Sequence, residues 1–457
     1  MTDVPRASVI LIQRGKHLEN QIKTIGLITL GCDKNRVDSE YIITRLASAY
    51  QFSGDIEKVD MLIINTCSFI KKSRIEAHEI LEEYLNIKCY RPNLKIVVCG
   101  CMVESDLEEL ESYTEIDGFI GINHYKKIKD LIDRIFAGER IIKVKGKSTL
   151  YYAKDRRITT PYHYAYLKIA DGCDNFCTFC RIPYIRGRYR SQTIETLEKE
   201  AKSLVKYGAR ELILVAQDIT KYGIDIYGKK SLVKLLQRLS KIGKLQWIRL
   251  LYAYPENIDD KLIKEITSNP KICKYIDIPM QHISDPVLMK MNRKSRSDKI
   301  EALVQKLHDN NISIRSTFML GFPGETDNDF AKLVHFLEDY KLENVGFFTF
   351  SKERNTVAEN FEETVSEKEK ERRLKIVSLL QSNISKNNNK KYKGQVLDVI
   401  VDGITDDSTY FVGRTQFQTP DVDGVTYFTA DEELSMGDIV KVKITSTLDY
   451  DIKGVKV

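Results

Sequence analysis

No apolar run in this 457-residue chain reaches the length that spans a bilayer, so a membrane-crossing helix is not expected. Proline (10) and glycine (24) are too few for a collagenous chain. Apolar residues at 42% against 30% charged exclude wholesale disorder. Nine cysteines in so long a chain exclude a disulfide-stapled miniprotein. The seven histidines show no metal-ligand pairing. Before Lys23 there is only a short apolar patch, Val9 to Ile12, whose flanks do not resemble a secretory signal. The protein is therefore expected to be cytoplasmic, with length enough for two or three cored domains.

The charge is unevenly spread. The formal net charge is +6, yet residues 388–457 carry 8 Lys+Arg against 12 Asp+Glu, so an acidic tail sits on a basic body.

Three segments are expected. From 23 to 139, apolar runs (Ile25 to Leu30, Met61 to Ile64, Ile96 to Val98, Phe119 to Ile122) alternate with helical patterns such as Val37 to Tyr50. That alternation predicts an open parallel α/β sheet. From 159 to 387, six strand candidates begin near Tyr166, Glu211, Trp247, Tyr275, Ser313 and Val345, with helices between them. One such helix carries Ile194, Leu197, Ala201, Leu204 and Val205 on one face and stops at Gly208. Six repeats predict a partial (β/α)6 barrel. From 388 to 457, after the polar run Gln381 to Lys393, short strands rich in Val, Ile and Thr are separated by turn signals at Asp402-Gly403 and Asp423-Gly424. They predict a small all-β, OB-like barrel. The charged stretch Lys145 to Thr160 is read as a linker.

In a reducing compartment, clustered cysteines bind metal or react more often than they pair. Cys173, Cys177 and Cys180 form C-x3-C-x2-C after the first barrel strand. Three thiolates can each take one iron of an iron–sulfur cube, leaving the fourth iron open for a substrate. A zinc site with a distant fourth ligand is the other reading. In the first segment, Cys32, Cys67 and Cys101 follow three different strands, where an open α/β sheet has its ligand crevice. Spacing alone leaves open whether they converge or are simply buried strand-end cysteines.

The stretch Asp171-Gly172-Cys173-Asp174-Asn175-Phe176-Cys177-Thr178-Phe179-Cys180, continued by Ile182-Pro183 and Arg186-Gly187-Arg188, resembles radical S-adenosylmethionine enzymes, and within them the methylthiotransferases. Leu30-Gly31-Cys32-Asp33-Lys34-Asn35, Val37-Asp38-Ser39-Glu40, Asn65-Thr66-Cys67 and Gly100-Cys101 resemble the amino-terminal domain of the same family, and the tail resembles a TRAM domain. The resemblance implies two 4Fe-4S clusters. One, on Cys173, Cys177 and Cys180, would bind S-adenosylmethionine and cleave it to a 5′-deoxyadenosyl radical. The other, on Cys32, Cys67 and Cys101, would carry the sulfur to be donated. Cys99 competes with Cys101, which matches the family's Gly-Cys pair; Cys89 and Cys273 match nothing and are read as structural. The loop Gly321-Phe322-Pro323-Gly324-Glu325 matches one that lies near S-adenosylmethionine in the family. Gln217, Asp218, Gln281 and Arg315 fall at strand ends but are read as scaffold.

Two subfamilies compete. One modifies an adenosine of transfer RNA (MiaB type), the other an aspartate of the twelfth small-subunit ribosomal protein (RimO type). Val215-Ala216-Gln217-Asp218, Arg249-Leu250-Leu251-Tyr252, Asp277-Ile278-Pro279-Met280-Gln281-His282, Val412-Gly413-Arg414 and Pro420-Asp421-Val422-Asp423-Gly424 resemble the second. Asp33 departs from the family's usual proline beside Cys32, a position that is not a ligand. An acidic tail also suits a basic ribosomal protein better than RNA. The expected reaction uses two molecules of S-adenosylmethionine, one to methylate the bound sulfur and one to take hydrogen from the aspartate β-carbon, and it requires an electron donor. It needs no catalytic base, and RNA contact is secondary. A non-catalytic metal-binding scaffold with an RNA-binding tail is the rival from another class.

Overall fold

The computed structural model describes residues 22–146 and 150–457, together with the backbone of Ser8 and Val9. The rest of the Val9 to Ile12 patch and residues 147–149 of the expected linker lie outside the described residues. The chain forms two compact units. The first runs to Thr159 and also takes in Asp171–Asp174 and Cys180–Arg190. The second comprises Thr160–Ala170, Asn175–Phe179 and Ser191–Val457.

The first unit is built on parallel strands Thr24–Thr29, Met61–Thr66, Lys95–Gly100, Gly118–Ile120 and Ile141–Lys143, adjacent in that order. The short strand Gln51–Phe52 pairs in parallel with the outer edge of Thr24–Thr29, and Ser8–Val9 pairs antiparallel on that edge. Counting parallel strands along the chain, the order is 2-1-3-4-5-6. The strand order reverses between Thr24–Thr29 and Met61–Thr66, which run parallel, and this makes their carboxyl ends a topological switch point. Both faces are covered. Ile25, Leu27, Met61 and Ile63 pack under the helices Asp33–Leu46 and Ile128–Phe136, and Ile28, Leu62, Ile64 and Ile96 pack under Lys71–Tyr90.

The first helix starts at Asp33, four residues before its expected start, and ends at Leu46. Its opening turn is polar, so it lacks the apolar period, yet Lys34 and Asn35 are buried at the sheet edge. The described part of the expected linker is not a free tether. Ala153 and Arg156 are buried, Arg156 pairs with Glu40, and the Tyr151 hydroxyl donates to Asp38 at 2.7 Å.

The second unit contains a six-stranded, all-parallel half-barrel: Tyr164–Lys168, Glu211–Val215, Trp247–Leu250, Ile272–Gln281, Ser313–Leu320 and Asn344–Thr349, neighbours in chain order. The expected polar run at 381–393 begins inside the helix Glu367–Asn389, where Gln381, Ile384 and Ser385 are buried. A closed five-stranded barrel follows, in the order Val396–Ile404, Phe411–Arg414, Thr426–Thr429, Ile452–Lys456, Ile439–Thr447. Asp402-Gly403 is not a turn. It lies within the first of these strands, where the register shifts between Val401 and Gly403. There Asp402 accepts from Arg414 Nε of the neighbouring small-barrel strand at 2.7 Å and contacts Nε2 of His163, just before the first half-barrel strand, at 2.7 Å.

The small barrel thus docks against the amino ends of the half-barrel strands through buried charge. Glu211 receives Arg249 at 2.6 Å and Arg414 at 2.7 Å, and Arg249 reaches the Gln416 carbonyl at 2.7 Å. Asp423 accepts from the Tyr275 hydroxyl at 2.8 Å and pairs with Arg315 at 3.4 Å. Arg315 is therefore a docking residue near the start of its strand, not a group at its carboxyl end.

Candidate functional site

Cys32, Cys67 and Cys101 stand at the carboxyl ends of three adjacent strands around the switch point of the first unit. Cys32 caps the helix Asp33–Leu46, and its carbonyl accepts from the Asn35 N–H at 2.9 Å. Gly31 has φ +86°, and a Cβ on it would lie 2.5 Å from Cys67 Cβ and 2.7 Å from Cys67 Sγ. Only glycine lets the first loop approach the second so closely. Gly100, at φ +95°, turns the third strand into Cys101 in the same way, with Asn65 and the Thr66 backbone where a Cβ would be.

Asn35 pins the first two strand ends together, donating from Nδ2 to the carbonyls of Leu30 (2.9 Å) and Thr66 (3.0 Å). Asn65 returns bonds to the Asn35 carbonyl (3.0 Å) and Ser39 Oγ (2.8 Å). The Cys101 thiol donates to Asn35 Oδ1 at 3.5 Å. One buried network therefore seats all three cysteines.

The thiols also act on one another. Burial pushes the Cys67 thiol up to about 12, and Cys101 and Cys32 push it further the same way. Burial pushes Cys101 up to about 11, with Cys32 adding to the rise and the Arg186 guanidinium opposing it. Cys67 and Cys101, two buried thiols with raised pKa values beside the exposed Cys32, are poorly solvated as thiolates unless a cationic metal group neutralises them. Cys99, the competing candidate, is fully buried in the core beneath the helix Asp33–Leu46, beside Tyr125; burial pushes it up to about 12. Among the described residues, no three His, Cys, Asp or Glu side chains are placed to hold one metal ion. A tetrahedral zinc draws its thiolates to about 2.3 Å from one point, whereas a cube gives each cysteine its own iron and spreads them.

The segment Cys180–Arg190 belongs to the same unit and is anchored by two buried arginines. Arg181 donates to Asp106 (2.9 Å) and to the oxygen of Ser68 Oγ (2.9 Å), next to Cys67. Arg186, with a side chain 1% exposed, reaches Asp38 at 2.8 Å, Asp171 at 3.1 Å, Asn35 Oδ1 at 2.5 Å and Cys101 Sγ at 3.4 Å. Sequence reading placed Arg186 in a motif but gave it no role, because no spacing rule brings residues 35, 38, 101 and 186 together.

In the C-x3-C-x2-C loop, Cys173 and Cys177 are buried and Cys180 is half-buried. Gly172 has φ +79°, and a Cβ there would meet the Arg188 carbonyl at 2.1 Å; the Cys173 N–H donates to the Gly187 carbonyl at 3.1 Å. In the second unit, Arg293 donates to Cys177 Sγ at 3.8 Å and to the Pro279 carbonyl at 2.6 Å, and its guanidinium stacks 4.3 Å over Tyr254. The backbone of Thr178 is tied to Met291 and Ala358.

The Gly321–Glu325 loop does end the fifth half-barrel strand. Glu325 curls back to accept from the N–H groups of Gly321 (2.7 Å) and Phe322 (3.2 Å), and Arg373 pairs with it. His282 is held neutral, its pKa pushed down to about 4 by burial, while Asp329 opposes the shift. Its Nδ1 accepts from the Ser284 N–H at 2.9 Å. Asp218 caps the turn after the second strand, accepting from the Thr220 N–H at 3.0 Å. Gln281 is buried with φ +73°.

Residues 167–337 match the radical SAM superfamily, 24–121 match the uncharacterized protein family UPF0004, and 394–457 match the TRAM domain. The ribosomal protein uS12 methylthiotransferase RimO of Clostridium botulinum (strain Loch Maree / Type A3) is 42% identical over 436 residues, covering 94% of this chain and 97% of that protein. The protein of the same name from Clostridium tetani (strain Massachusetts / E88) is 42% identical over 435 residues, with the same coverage. Among solved structures, the radical S-adenosylmethionine methyltransferase TsrM of Kitasatospora setae aligns with a TM-score of 0.55 at 13% identity, over 72% of this chain and 73% of that one. The cobalamin-dependent S-adenosylmethionine radical enzyme OxsB aligns with a TM-score of 0.51 at 13% identity, over 74% and 55%. At such identities these two share a fold only, but the near-full-length relatives decide the matter: the chain belongs to the RimO family of radical S-adenosylmethionine methylthiotransferases.

Proposed function

We propose that this chain methylthiolates the β-carbon of an aspartate in ribosomal protein uS12, using two molecules of S-adenosylmethionine. The convergence of Cys32, Cys67 and Cys101 on one buried network carries the proposal, because a second metal group is what sulfur donation requires beyond radical formation. Cys32, Cys67 and Cys101 would hold one 4Fe-4S cluster, and Cys173, Cys177 and Cys180 the other, within domains spanning 23–139, 159–387 and 388–457. When bound, these groups supply the electron that cleaves the sulfonium and the sulfur that is transferred.

The chain's own residues do the rest. Asn35, Asn65 and Gly31 fix the thiol geometry, Arg293 offers a positive charge and a donor to Cys177, and Glu325 with Arg373 shapes the loop after the fifth strand. An unactivated C–H bond is beyond side-chain acid–base chemistry at neutral pH, and no base is assigned.

The acidic tail supports a basic protein substrate less strongly than the raw count suggests. Asp402, Asp423 and Arg414 are turned inward, which leaves seven bases against ten acids in residues 388–457. The sign survives, so RNA contact remains secondary. No helix among the described residues is long and apolar enough to cross a membrane, and we place the protein in the cytoplasm with an electron donor. The test is anaerobic turnover of the iron-reconstituted chain with S-adenosylmethionine, a low-potential reductant and either purified uS12 or transfer RNA. Mass spectrometry should show one methylthio group replacing one hydrogen on uS12. The same group found on RNA alone overturns the substrate.

A further inference from the structure

We propose that Arg186 is a positioning residue that sets the reduction potential of the metal group held by Cys32, Cys67 and Cys101; the proposal rests on the assignment of that cluster. Three observations carry it. The guanidinium is buried, at 1% side-chain exposure, so its charge is not screened by water. Its Nη2 lies 3.4 Å from Cys101 Sγ, within reach of an N–H···S bond. Its remaining donors are committed elsewhere in a fixed fork: Nη1 to Asp38 (2.8 Å) and Asp171 (3.1 Å), and Nη2 also to Asn35 Oδ1 (2.5 Å).

A salt bridge to Asp38 and Asp171 alone would explain an arginine in this place. It would not explain why the same nitrogen faces both a cysteine sulfur and the asparagine that pins the other two cysteine loops. Hydrogen bonds to the sulfurs and local charge are the protein's means of tuning an iron–sulfur group. One-electron reduction adds negative charge to the cluster and its sulfurs. A fixed cation and donor at Cys101 stabilise the reduced form more than the oxidised one, so Arg186 raises the potential. Lysine keeps the charge but lacks the planar fork that reaches Sγ, Asn35 and two carboxylates together.

The experiment uses the full chain with Cys173, Cys177 and Cys180 all changed to Ala, so that only the first trio can hold iron. It compares that parent with Arg186→Lys, Arg186→Gln and the pair Asp38→Asn/Arg186→Gln. The pair keeps the local net charge and so reads the N–H···S bond even where Arg186→Gln alone loses iron. Iron per chain is measured first, then a dithionite titration followed by electron paramagnetic resonance. Arg186→Gln should lower the reduced-to-oxidised ratio at a given applied potential about tenfold, equivalent to a potential about 59 mV more negative for a one-electron couple. Arg186→Lys and the charge-matched pair should fall between it and the parent. Full iron with an unchanged potential in Arg186→Gln, or in the charge-matched pair where Arg186→Gln loses iron, overturns the tuning role while leaving the cluster assignment standing. A parent that binds no iron overturns the cluster assignment itself, and the proposal with it.

Discussion

Replacing Gly31 by alanine tests the closest approach in the cysteine network. Two penalties arise. A non-glycine residue at φ +86° carries backbone strain of about 1–3 kcal/mol. The new Cβ would also sit 2.5 Å from Cys67 Cβ and 2.7 Å from its sulfur, so one of the two loops must shift. Cys67 cannot yield freely, because the Thr66 carbonyl beside it is held by Asn35 and the Thr66 hydroxyl by the Cys99 carbonyl at 2.6 Å. Gly138→Ala separates the penalties, since Gly138 has φ +97° and nothing within 4 Å of its added Cβ. Both variants should melt lower, by about 2–4 °C for each kcal/mol in a domain of this size. Only Gly31→Ala should lose the iron of the first trio on anaerobic reconstitution, falling from about eight irons per chain towards about four, as expected when one of two four-iron cubes is lost. Full iron in Gly31→Ala, or equal iron loss in both variants, would show that the contact with Cys67 is not what seats the thiols.

Other consequences can be measured directly. Cys101→Ala should remove the first trio's iron, while Cys99→Ala, whose side chain belongs to the core, should keep it and cost only stability, read from iron content and melting curves. Glu211→Gln should destabilise docking of the small barrel by about 3–5 kcal/mol, the usual cost of breaking a buried pair, with faster proteolysis beyond residue 387 as the readout. Burial alone would raise the Glu211 pKa, but Arg249 and Arg414 hold the carboxyl below its ordinary value. Its stabilisation is therefore complete above an unfolded carboxylate pKa of about 4.3 and lost as pH falls through the lower folded value. The gap between the melting points of the parent and Glu211→Gln should accordingly be full at pH 7 and narrow below about pH 4.

Much of the architecture was legible because buried parallel strands leave near-continuous apolar runs and the cysteines follow them directly. Met61–Thr66 starts where the expected run Met61 to Ile64 starts, for that reason. Polar residues acting at a distance were not legible. The turn Asp33–Arg36 fell outside the helix expected from Val37 because its buried side chains are polar, and Asp402-Gly403 looked like a turn although it is an irregularity that aims a carboxylate. Arg315 reads from sequence as scaffold at a strand end but lies near the start of its strand; the strand could be recognised but the depth along it could not. Arg186 and Asn35 gain their meaning only from tertiary contact, which no local period encodes.

The central claim is that two separate trios of cysteines each hold an iron–sulfur cube. Iron and sulfide content of the chain with Cys32, Cys67 and Cys101 all changed to Ala, set against the parent after identical anaerobic reconstitution, tests it most directly. The account predicts that iron falls by half, with S-adenosylmethionine still cleaved on reduction and no methylthio product formed. Iron and product formation unchanged from the parent would contradict it.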